Sequence, residues 1–366
     1  MGDRAKAVLC VDLDAIAANW RAIEARIRPS ARAAGVVKAD AYGLGAEKVV
    51  PTLSAAGCRR FFVATLGEGA ALRPLAPGAE FFVLSGPLPG EEEEFVRHGL
   101  TPVLNSPEQI GRWARRARGA PSAIHVDTGM SRLGLSEAEW IAFCENKETQ
   151  TAVAPLLVMS HLAIADDPDH PSNCEQLRRF EARRHRLPKL EASIAASSGT
   201  FLGKAFHYQW VRPGSALYGI NPTPGKPNPM KPVVRFSAEI LQLRDLEPGD
   251  AVGYGATWRA ASKGKAAVAA VGYADGLPRK AGNRAMGVLA GKKVPLIGRV
   301  SMDLAIFDVS AVSGGAHVGA MIDLISDEHD VDALADEAET IGYEILTSLG
   351  ARRRRVYKGG SEAGGS

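Results

Sequence analysis

Between about residue 30 and residue 220, short runs of β-branched and other apolar residues alternate with segments whose apolar positions recur at helical spacing. The alternation predicts eight strands with helical crossovers between most of them, at residues 33–37, 60–65, 80–85, 101–105, 122–127, 153–160, 191–196 and 209–212. Eight such units are typical of a closed parallel barrel, so the predicted fold class is α/β with an N-terminal (β/α)8 barrel. A doubly wound open sheet is the alternative, but the Gly-rich turn that usually follows its first strand is missing here.

The polar and apolar pattern also predicts elements outside these strands. Ala7–Asp12 alternates as a strand does, and residues 14–27 then place Ile16, Trp20, Ile23 and Ile27 on one face of a helix. A serine followed by proline at residues 106–107 predicts a helix start, and residues 171–187 predict another helix.

The pattern changes after the eighth strand. Residues 221–232 are rich in proline, and from residue 233 onward short apolar runs are separated by turns such as those at residues 247–250 and 313–315. We therefore expect a barrel domain over residues 1–228, with an extra N-terminal strand, and a mostly-β domain over residues 229–358. Residues 359–366 are rich in glycine and serine and are predicted to be disordered.

Composition narrows the functional classes. The chain has 366 residues, 46% of them hydrophobic and 23% charged, and a net charge of +3, which gives no reason to expect a nucleic-acid or anionic-membrane partner. Neither an apolar signal region nor a membrane-spanning stretch is evident. The four scattered cysteines have no zinc-like spacing, so we expect no metal site and a reducing, cytoplasmic environment.

A single lysine closes the first barrel strand. Lys38 follows the apolar run 35–37 and precedes a Tyr-Gly turn at residues 42–43. Burial lowers the pKa of a lysine amine, which can then act as a nucleophile and hold an aldehyde cofactor such as pyridoxal 5′-phosphate (PLP) as a Schiff base. On this segment alone, a lysine whose ammonium group reaches the surface is the competing interpretation.

Chemically active residues also follow other predicted strands. Barrel enzymes place their sites at the carboxyl ends of the strands. In chain order these ends carry Lys38, the segment 127–134 with Arg132, then His161, the serine pair 197–198, and Arg212 with Gly214. Because such residues recur at five strand ends, the sequence predicts one shared site.

The second domain contributes three further motifs. Tyr254 lies between two glycines, Tyr273 opens a Tyr-Ala-Asp-Gly turn, and residues 298–303 read Gly-Arg-Val-Ser-Met-Asp. A tyrosine between glycines is usually a turn residue, but it can also present a phenol with little steric cover. We expect these segments to meet the barrel mouth, from the same chain or from a partner.

Taken together, these motifs resemble those of the alanine racemase family, PLP enzymes of fold type III. The resemblance runs from Val11 to about Tyr357 and rests on Val-Val-Lys-Ala-Asp-Ala-Tyr-Gly, Asp-Thr-Gly-Met-Ser-Arg-Leu-Gly, Arg-Pro-Gly-Ser-Ala-Leu-Tyr-Gly, Gly-Tyr-Gly-Ala-Thr, Gly-Tyr-Ala-Asp-Gly and Ser-Met-Asp. It implies PLP as cofactor, alanine as substrate and a head-to-tail homodimer that supplies D-alanine for peptidoglycan.

The resemblance also implies roles for single residues. Lys38 would hold the cofactor and act as one base, and Tyr254 from the partner subunit would be the other. His161 and Arg212 would activate that tyrosine through a hydrogen-bond chain, and Arg212 would also face the pyridine nitrogen. Arg132 would contact the substrate carboxylate and the cofactor's phenolic oxygen.

The remaining implied site residues bind the two ends of the ligands. The substrate carboxylate would meet the backbone N–H of Met302, and Asp303 and Tyr273 would shape the entrance. The cofactor phosphate would lie among Tyr42, Ser197, Gly214 and Ser215, because glycine permits close backbone approach and N–H groups bind oxyanions.

Four positions depart from the family pattern. Leu44 stands where a histidine is frequent, His125 where many members carry a lysine that steadies Arg132, and Ala196 where asparagine is common. The family's phosphate-binding tyrosine is expected near residues 351–353, and this chain reads Ala-Arg-Arg-Arg-Arg over residues 351–355. One of these arginines, such as Arg353, or else Tyr357, is the candidate replacement.

Several functions share these motifs. A broad-specificity amino-acid racemase, a fold-type III decarboxylase and a weakened PLP-binding paralogue all remain alternatives to a racemase for alanine. The Gly-Tyr-Gly and Ser-Met-Asp segments favour a racemase over a decarboxylase, and the retention of both Lys38 and Tyr254 favours an active enzyme.

Overall fold

The computed structural model of the protein describes residues 6–350, 352 and 354–360. The first elements of the described part are strand β1 (Ala7–Asp12) and helix α1 (Leu13–Ile27). Asp12 caps the helix, because its Oδ1 accepts the N–H of Ala15 at 2.8 Å. Helix α1 buries the apolar face that the sequence predicted, formed by Ile16, Trp20, Ile23 and Ile27.

The predicted strands form a parallel barrel. They are β2 (Arg32–Ala33), β3 (Gly35–Val36), β4 (Arg60–Val63), β5 (Glu80–Val83), β6 (Thr101–Leu104), β7 (Ser122–His125), β8 (Pro155–Met159), β9 (Glu191–Ser193) and β10 (Trp210–Val211). Strands β3 to β9 pair in chain order, and β10 pairs in parallel with β2. Since β2 and β3 are halves of one predicted strand, the eight predicted strands are confirmed.

Backbone hydrogen bonds close the circle on both sides of β10. The N–H of Arg212 donates to the carbonyl of Ala195 at 2.9 Å, and the N–H of Ala34 donates to the carbonyl of Val211 at 2.9 Å. The (β/α)8 architecture predicted from the sequence is thus confirmed.

Helices surround the barrel. They are α2 (Lys38–Gly43), α3 (Ala46–Ala56), α4 (Leu66–Leu72), α5 (Glu92–Arg97), α6 (Pro107–Arg116), α7 (Glu137–Glu145), α8 (Lys147–Val153) and α9 (Pro171–Arg184). Ser106 caps α6 as predicted, with its Oγ accepting the N–H of Gln109 at 3.3 Å. None of the helices in the described ranges is long and apolar enough to cross a membrane.

Strands β4 and β5 illustrate why the barrel interior is stable. Both are apolar on consecutive positions, as expected of parallel strands covered on both faces. Phe61 stacks on Phe81 with ring centroids 5.1 Å apart, and Phe62 stacks on Phe82 at 5.0 Å. All four rings are fully buried, so this packing holds the ends of neighbouring strands in fixed register.

The second part of the chain is mostly β, as predicted. It contains β11 (Val234–Leu246), β12 (Ala251–Val252), β13 (Trp258–Arg259), β14 (Gly264–Ala269), β15 (Met286–Leu289), β16 (Lys292–Pro295), β17 (Ala305–Asp308), β18 (Met321–Ile325), α10 (Val331–Glu337), α11 (Gly342–Ser348) and β19 (Arg354–Lys358). Strand β1 lies in this sheet, antiparallel to β11 and parallel to β19. The first strand within the described residues therefore pairs with the last one.

Candidate active site

A cavity of about 770 Å³ opens at the carboxyl ends of the barrel strands. Helix α11 of the second part closes one side of it with Tyr343, Glu344 and Thr347. Eight of the residues predicted from the sequence line this cavity, namely Lys38, Tyr42, Arg132, His161, Ser197, Arg212, Gly214 and Ser215.

Lys38 enters the cavity from an unusual backbone turn. The four residues after it, Ala39 to Tyr42, all have φ between 52° and 57°, so α2 is wound left-handed. Each L-residue in this conformation costs roughly 1–2 kcal/mol, and such strain persists only where surrounding contacts enforce it. Gly43 ends the turn at φ 82°, where a Cβ would approach the carbonyl oxygen of Leu346 at 2.5 Å.

The amine of Lys38 has a lowered pKa. Burial is the main cause, the positive charge of Arg132 adds to it, and the negative charge of Glu68 opposes it. The neutral amine, which can attack an aldehyde, is therefore more populated here than in a free lysine.

Arg212 is buried beneath the cavity. Its Nη1 donates to Ser193 Oγ at 2.5 Å, and its Nη2 donates to the carbonyl of Ser160 at 2.6 Å. Burial lowers the pKa of the guanidinium to about 9, so the group stays positively charged at neutral pH. Fixed in this way, Arg212 presents hydrogen-bond donors and no acceptor to the cavity.

His161 is linked to Arg212. The Nδ1 atom of His161 lies 3.4 Å from Nη2 of Arg212, and because a guanidinium only donates, Nδ1 is the acceptor. Burial and then the charge of Arg212 lower the pKa of His161 to about 3. The imidazole is consequently neutral and carries its hydrogen on Nε2.

The loop that carries Arg132 is held by one carboxylate. Asp127 Oδ1 accepts the N–H groups of Gly129 at 2.9 Å, Met130 at 3.0 Å and Ser131 at 3.2 Å. Burial acts to raise the pKa of Asp127, but these backbone hydrogen bonds outweigh it and lower the pKa. The Asp-Thr-Gly-Met-Ser-Arg motif is therefore a turn organised around Asp127 that brings Arg132 to the cavity.

His125 also lines the cavity, at the end of β7. Its Nδ1 lies 2.8 Å from Oδ1 of Asn105. Burial, followed by the charges of Arg212 and Arg132, lowers the pKa of His125 to about 4. The side chain that replaces the family's frequent lysine is thus a neutral imidazole beside Arg132.

The hydroxyl groups of Ser197 and Tyr42 lie at another part of the cavity wall. Ser197 Oγ accepts the N–H groups of Gly214 at 3.0 Å and Ala216 at 3.1 Å, which leaves its hydroxyl hydrogen free to donate. A Cβ on Gly214 would collide with the Tyr42 hydroxyl, so glycine is required there. Burial raises the pKa of Tyr42, and its phenol stays a hydrogen-bond donor.

Tyr343 is a site residue that the sequence did not predict. Its hydroxyl lies 2.7 Å from Ser215 Oγ, and its ring lies 5.8 Å from that of Tyr42. Tyr357, one of the candidates for this place, lies elsewhere, with its hydroxyl donating to the carbonyl of Leu44 at 3.1 Å. Of the candidate arginines, Arg352 pairs with Asp303 and Arg355 with Asp40, whereas Arg353 falls outside the described residues.

The other departures from the family pattern have different surroundings. Leu44 is fully buried in the hydrophobic core, whereas Ala196 lines the cavity beside Ser197. The first replacement therefore concerns packing, and only the second changes the cavity wall.

Four predicted residues do not line the cavity of their own chain. They lie on the second part of the chain, where Tyr254 is 71% exposed, Met302 54% and Tyr273 44%, and where Asp303 pairs with Arg352 at 2.5 Å. The N–H of Tyr273 donates to the carbonyl of Ser301 at 3.1 Å, so two of the three motifs are joined. Within one chain these four residues are therefore exposed at the surface and are not part of the cavity wall around Lys38.

Comparison with known proteins identifies the family. The family model described as "Alanine racemase, N-terminal domain" matches residues 11–222, and "Alanine racemase, C-terminal domain" matches residues 233–357. The alanine racemase of Rhodospirillum rubrum is 56% identical over 369 residues, covering 99% of both chains. The chain belongs to the alanine racemase family.

Solved structures agree with this assignment. A crystal structure of alanine racemase from Bartonella henselae with covalently bound pyridoxal phosphate has a TM-score of 0.93 at 37% identity, covering 97% of this chain and 100% of the other. The biosynthetic alanine racemase of Pseudomonas aeruginosa has a TM-score of 0.91 at 34% identity, with the same coverage. The protein is a PLP-dependent alanine racemase, an isomerase.

The cavity fits the cofactor of the alanine racemase family. It offers a lysine with a lowered pKa, a buried guanidinium, and a wall of hydroxyl groups beside a glycine where a Cβ has no room. No group of three His, Cys, Asp or Glu side chains that could hold a metal ion is found among residues 6–350, 352 and 354–360. The groups that line the cavity are therefore suited to bind an organic phosphate that carries an aldehyde.

Proposed function

We propose that the enzyme interconverts L-alanine and D-alanine with two bases, Lys38 of one subunit and Tyr254 of the partner subunit. Racemisation requires one face of the α-carbon to lose a proton and the opposite face to receive one. The observation that carries the proposal is that Lys38 lines the cavity while Tyr254 of the same chain lies exposed outside it.

That separation supports a head-to-tail homodimer. Each chain holds a cavity with one base and, on its second part, a surface that presents a phenol. If the second part of one subunit covers the barrel mouth of the other, both cavities are completed at once by symmetry. We propose this arrangement with Tyr254, Tyr273, Met302 and Asp303 supplied across the interface.

His161 and Arg212 prepare the second base in this proposal. A free phenol has a pKa of about 10, so at neutral pH it is almost entirely protonated and little of it is available as a base. His161 accepts from Arg212 on Nδ1 and therefore has an N–H on Nε2 to donate. Donation to the phenolate oxygen of Tyr254 of the partner subunit would stabilise its ionised form.

The cavity residues divide the work of holding PLP and substrate. Lys38 would hold the aldehyde carbon, Arg212 would donate to the ring nitrogen, and the phosphate would lie among Tyr42, Ser197, Gly214, Ser215 and Tyr343. When bound, PLP supplies an electron sink that makes the α-proton of an amino acid removable.

Arg132 and the partner's surface would select alanine. A guanidinium fork suits the two oxygens of a carboxylate, and the backbone N–H of Met302 of the partner subunit would add a third donor. The partner subunit's Tyr273 and the partner subunit's Asp303 would narrow the entrance and so favour a small side chain.

The same proposal covers domain organisation and role in the cell. We propose a barrel domain over residues 1–228, whose first strand β1 pairs in the sheet of a β domain over residues 229–358. We also propose a cytoplasmic enzyme that supplies D-alanine for peptidoglycan. A relative from Mesorhizobium japonicum, 46% identical over 362 residues, is named "Alanine racemase, catabolic", so the biosynthetic role needs its own test. Growth without added D-alanine of a D-alanine auxotroph that carries this chain is that test.

Chiral chromatography tests the reaction. We expect PLP-loaded protein to convert L-alanine to an equal mixture of enantiomers, and the Lys38→Ala variant to leave it unchanged. Conversion of larger amino acids at similar kcat/KM would indicate a broad-specificity racemase. Absence of D-alanine from a protein that retains yellow, lysine-linked PLP would contradict the proposal and favour a weakened paralogue.

A further inference from the structure

Glu68 makes an unusual pair of hydrogen bonds next to Lys38. Its Oε1 accepts the N–H of Ala39 at 2.8 Å, and its Oε2 accepts the N–H of Ala64 at 2.7 Å. Ala39 directly follows Lys38, and Ala64 follows the last residue of β4. One carboxylate therefore ties together the carboxyl ends of two neighbouring barrel strands.

This geometry differs from ordinary helix capping. A glutamate three residues after the cap usually accepts the N–H of the capping residue itself. Glu139 at the start of α7 does this, with its Oε2 accepting the N–H of Ser136 at 2.8 Å. In α4 the cap is Thr65, but the carboxylate of Glu68 reaches past it to Ala64 and across to Ala39.

The contact with Ala39 falls where the backbone needs support. Ala39 is the first of the four left-handed residues that carry Lys38 into the cavity. Further along the turn, Asp40 is held at two points: its Oδ1 accepts the N–H of Ala46 at 2.7 Å, and its Oδ2 pairs with Arg355 at 3.2 Å. Glu68 restrains the peptide unit that joins Lys38 to this turn.

We propose that Glu68 is a positioning residue that fixes the backbone at Lys38 and thereby the direction in which the lysine side chain enters the cavity. The inference rests on the proposed function, because it takes Lys38 as the residue that binds the cofactor.

The charge of Glu68 also acts on the lysine amine. Arg132 faces Lys38 from the loop 127–134, His161 from the segment just after β8, and Glu68 from α4. Of these, Glu68 raises the pKa of Lys38, while burial and Arg132 lower it. Removing the negative charge should therefore shift capture of PLP by the free amine toward lower pH.

The Glu68→Gln variant tests the proposal, with Glu139→Gln as the matched control. Each substitution replaces a carboxylate in the first turn of a helix, which accepts the backbone N–H groups of Ala39 and Ala64 in Glu68 and that of Ser136 in Glu139. For Glu68→Gln we expect kcat for racemisation to fall about tenfold, the effect of losing a charged hydrogen bond, with KM for alanine changed less than about twofold. Glu139→Gln should match the wild type.

A second readout does not depend on turnover. Apoenzyme is mixed with PLP at a series of pH values, the product is reduced with borohydride, and peptide mapping by mass spectrometry gives the fraction of Lys38 carrying the cofactor. We expect the midpoint of capture by Glu68→Gln to lie about half a pH unit below that of the wild type, because one opposite charge near the amine is lost.

Glu68→Asp separates charge from position. It retains the carboxylate but is one methylene shorter, so its capture midpoint should stay near the wild-type value while kcat falls. An unchanged kcat in both Glu68 variants, or an unchanged capture profile in Glu68→Gln, would overturn the proposal. If Glu68→Gln does not fold, Glu68→Asp decides alone, and a wild-type kcat refutes the positioning role.

Failure of the underlying function gives a different result. If borohydride reduction of the wild type labels a lysine other than Lys38, the proposed function is wrong, whatever the Glu68 variants do. If Lys38 is labelled and the Glu68 variants behave as wild type, only the positioning role is wrong.

Discussion

Asn105 fixes the tautomer of His125. The amide nitrogen of Asn105 donates to the carbonyls of Leu84 at 3.0 Å and Val103 at 2.8 Å, so its Oδ1 must face His125. That oxygen accepts a hydrogen from Nδ1 of the imidazole, 2.8 Å away. Nε2 of His125 therefore carries a lone pair and no hydrogen. The positive charges of Arg212 and Arg132 favour this neutral form of the imidazole.

Nitrogen NMR of histidine-labelled holoenzyme should detect this tautomer. We expect the His125 signal, assigned by its loss in His125→Gln, to show a protonated Nδ1 and an unprotonated Nε2 from pH 6 to pH 8. The reason is that its pKa, about 4, lies well below this range. A protonated Nε2 or a titration near pH 6.5 would contradict the assignment.

Stability should fall on mild acidification. The folded-state pKa values of His125 and His161, about 4 and about 3, lie below the ordinary value of 6.5, so the unfolded chain binds more protons between these limits. Each histidine then removes about 2 kcal/mol from the free energy of unfolding between pH 8 and pH 5. Urea unfolding at the two pH values should show a smaller loss for His125→Gln than for the wild type, and an equal loss in both proteins would argue against burial of a neutral imidazole.

Mixed dimers test the second base. Lys38→Ala lacks the cavity base and Tyr254→Phe lacks the exposed phenol, so each homodimer should be inactive. Co-refolded or co-expressed mixtures should recover activity in hybrids, because one of the two cavities then combines an intact lysine with an intact tyrosine. Hybrids purified by two different tags and still inactive would rule out supply of Tyr254 by the partner.

The hydroxyl of Tyr343 should contribute to cofactor affinity. Tyr343→Phe removes the partner of Ser215 Oγ and, in the proposed site, a hydrogen bond to the charged cofactor phosphate. Loss of a hydrogen bond to a charged group costs about 1.5–3 kcal/mol, so the Kd for PLP should rise about tenfold or more. Titration of apoenzyme with PLP measures it. Tyr357→Phe is the control, because that hydroxyl bonds the carbonyl of Leu44, and an equal effect of both substitutions would contradict the assignment.

Gly214 should tolerate no side chain. A Cβ there would collide with the Tyr42 hydroxyl, so Gly214→Ala should displace Tyr42 and weaken PLP retention during dialysis at least tenfold. Gly111→Ala in α6 is the control, since its Cβ would meet only the end of the flexible Arg115 side chain at 3.3 Å. That variant should keep its cofactor and gain a few tenths to about 1 kcal/mol of stability.

The barrel strands could be predicted because each is a short apolar run that its own sequence defines. The same local signals located Lys38 and His161, which directly follow such runs, Arg212, which ends one, and Arg132, which lies five residues beyond another. The handedness of the turn after Lys38 could not be predicted, because Ala-Asp-Ala-Tyr has no glycine and would ordinarily wind to the right.

Other site features depend on contacts between distant segments. Tyr343 reaches Ser215 from a helix 128 residues further along the chain. Asn105, just after β6, fixes the tautomer of His125 at the end of the neighbouring strand β7. Neither role therefore has a signature in the local sequence. The placement of β1 in the second sheet is of the same kind, because strand pairing at long separation leaves no local pattern.

The pairing of β1 has a consequence for biosynthesis. Both neighbours of this strand, β11 and β19, emerge from the ribosome long after it, the first of them after roughly 10 to 40 s at about 5–20 residues per second. During that time the backbone donors and acceptors of an apolar strand stay exposed, a recognised template for aggregation. Both edges of β1 are therefore covered only after β11 and β19 have been synthesised.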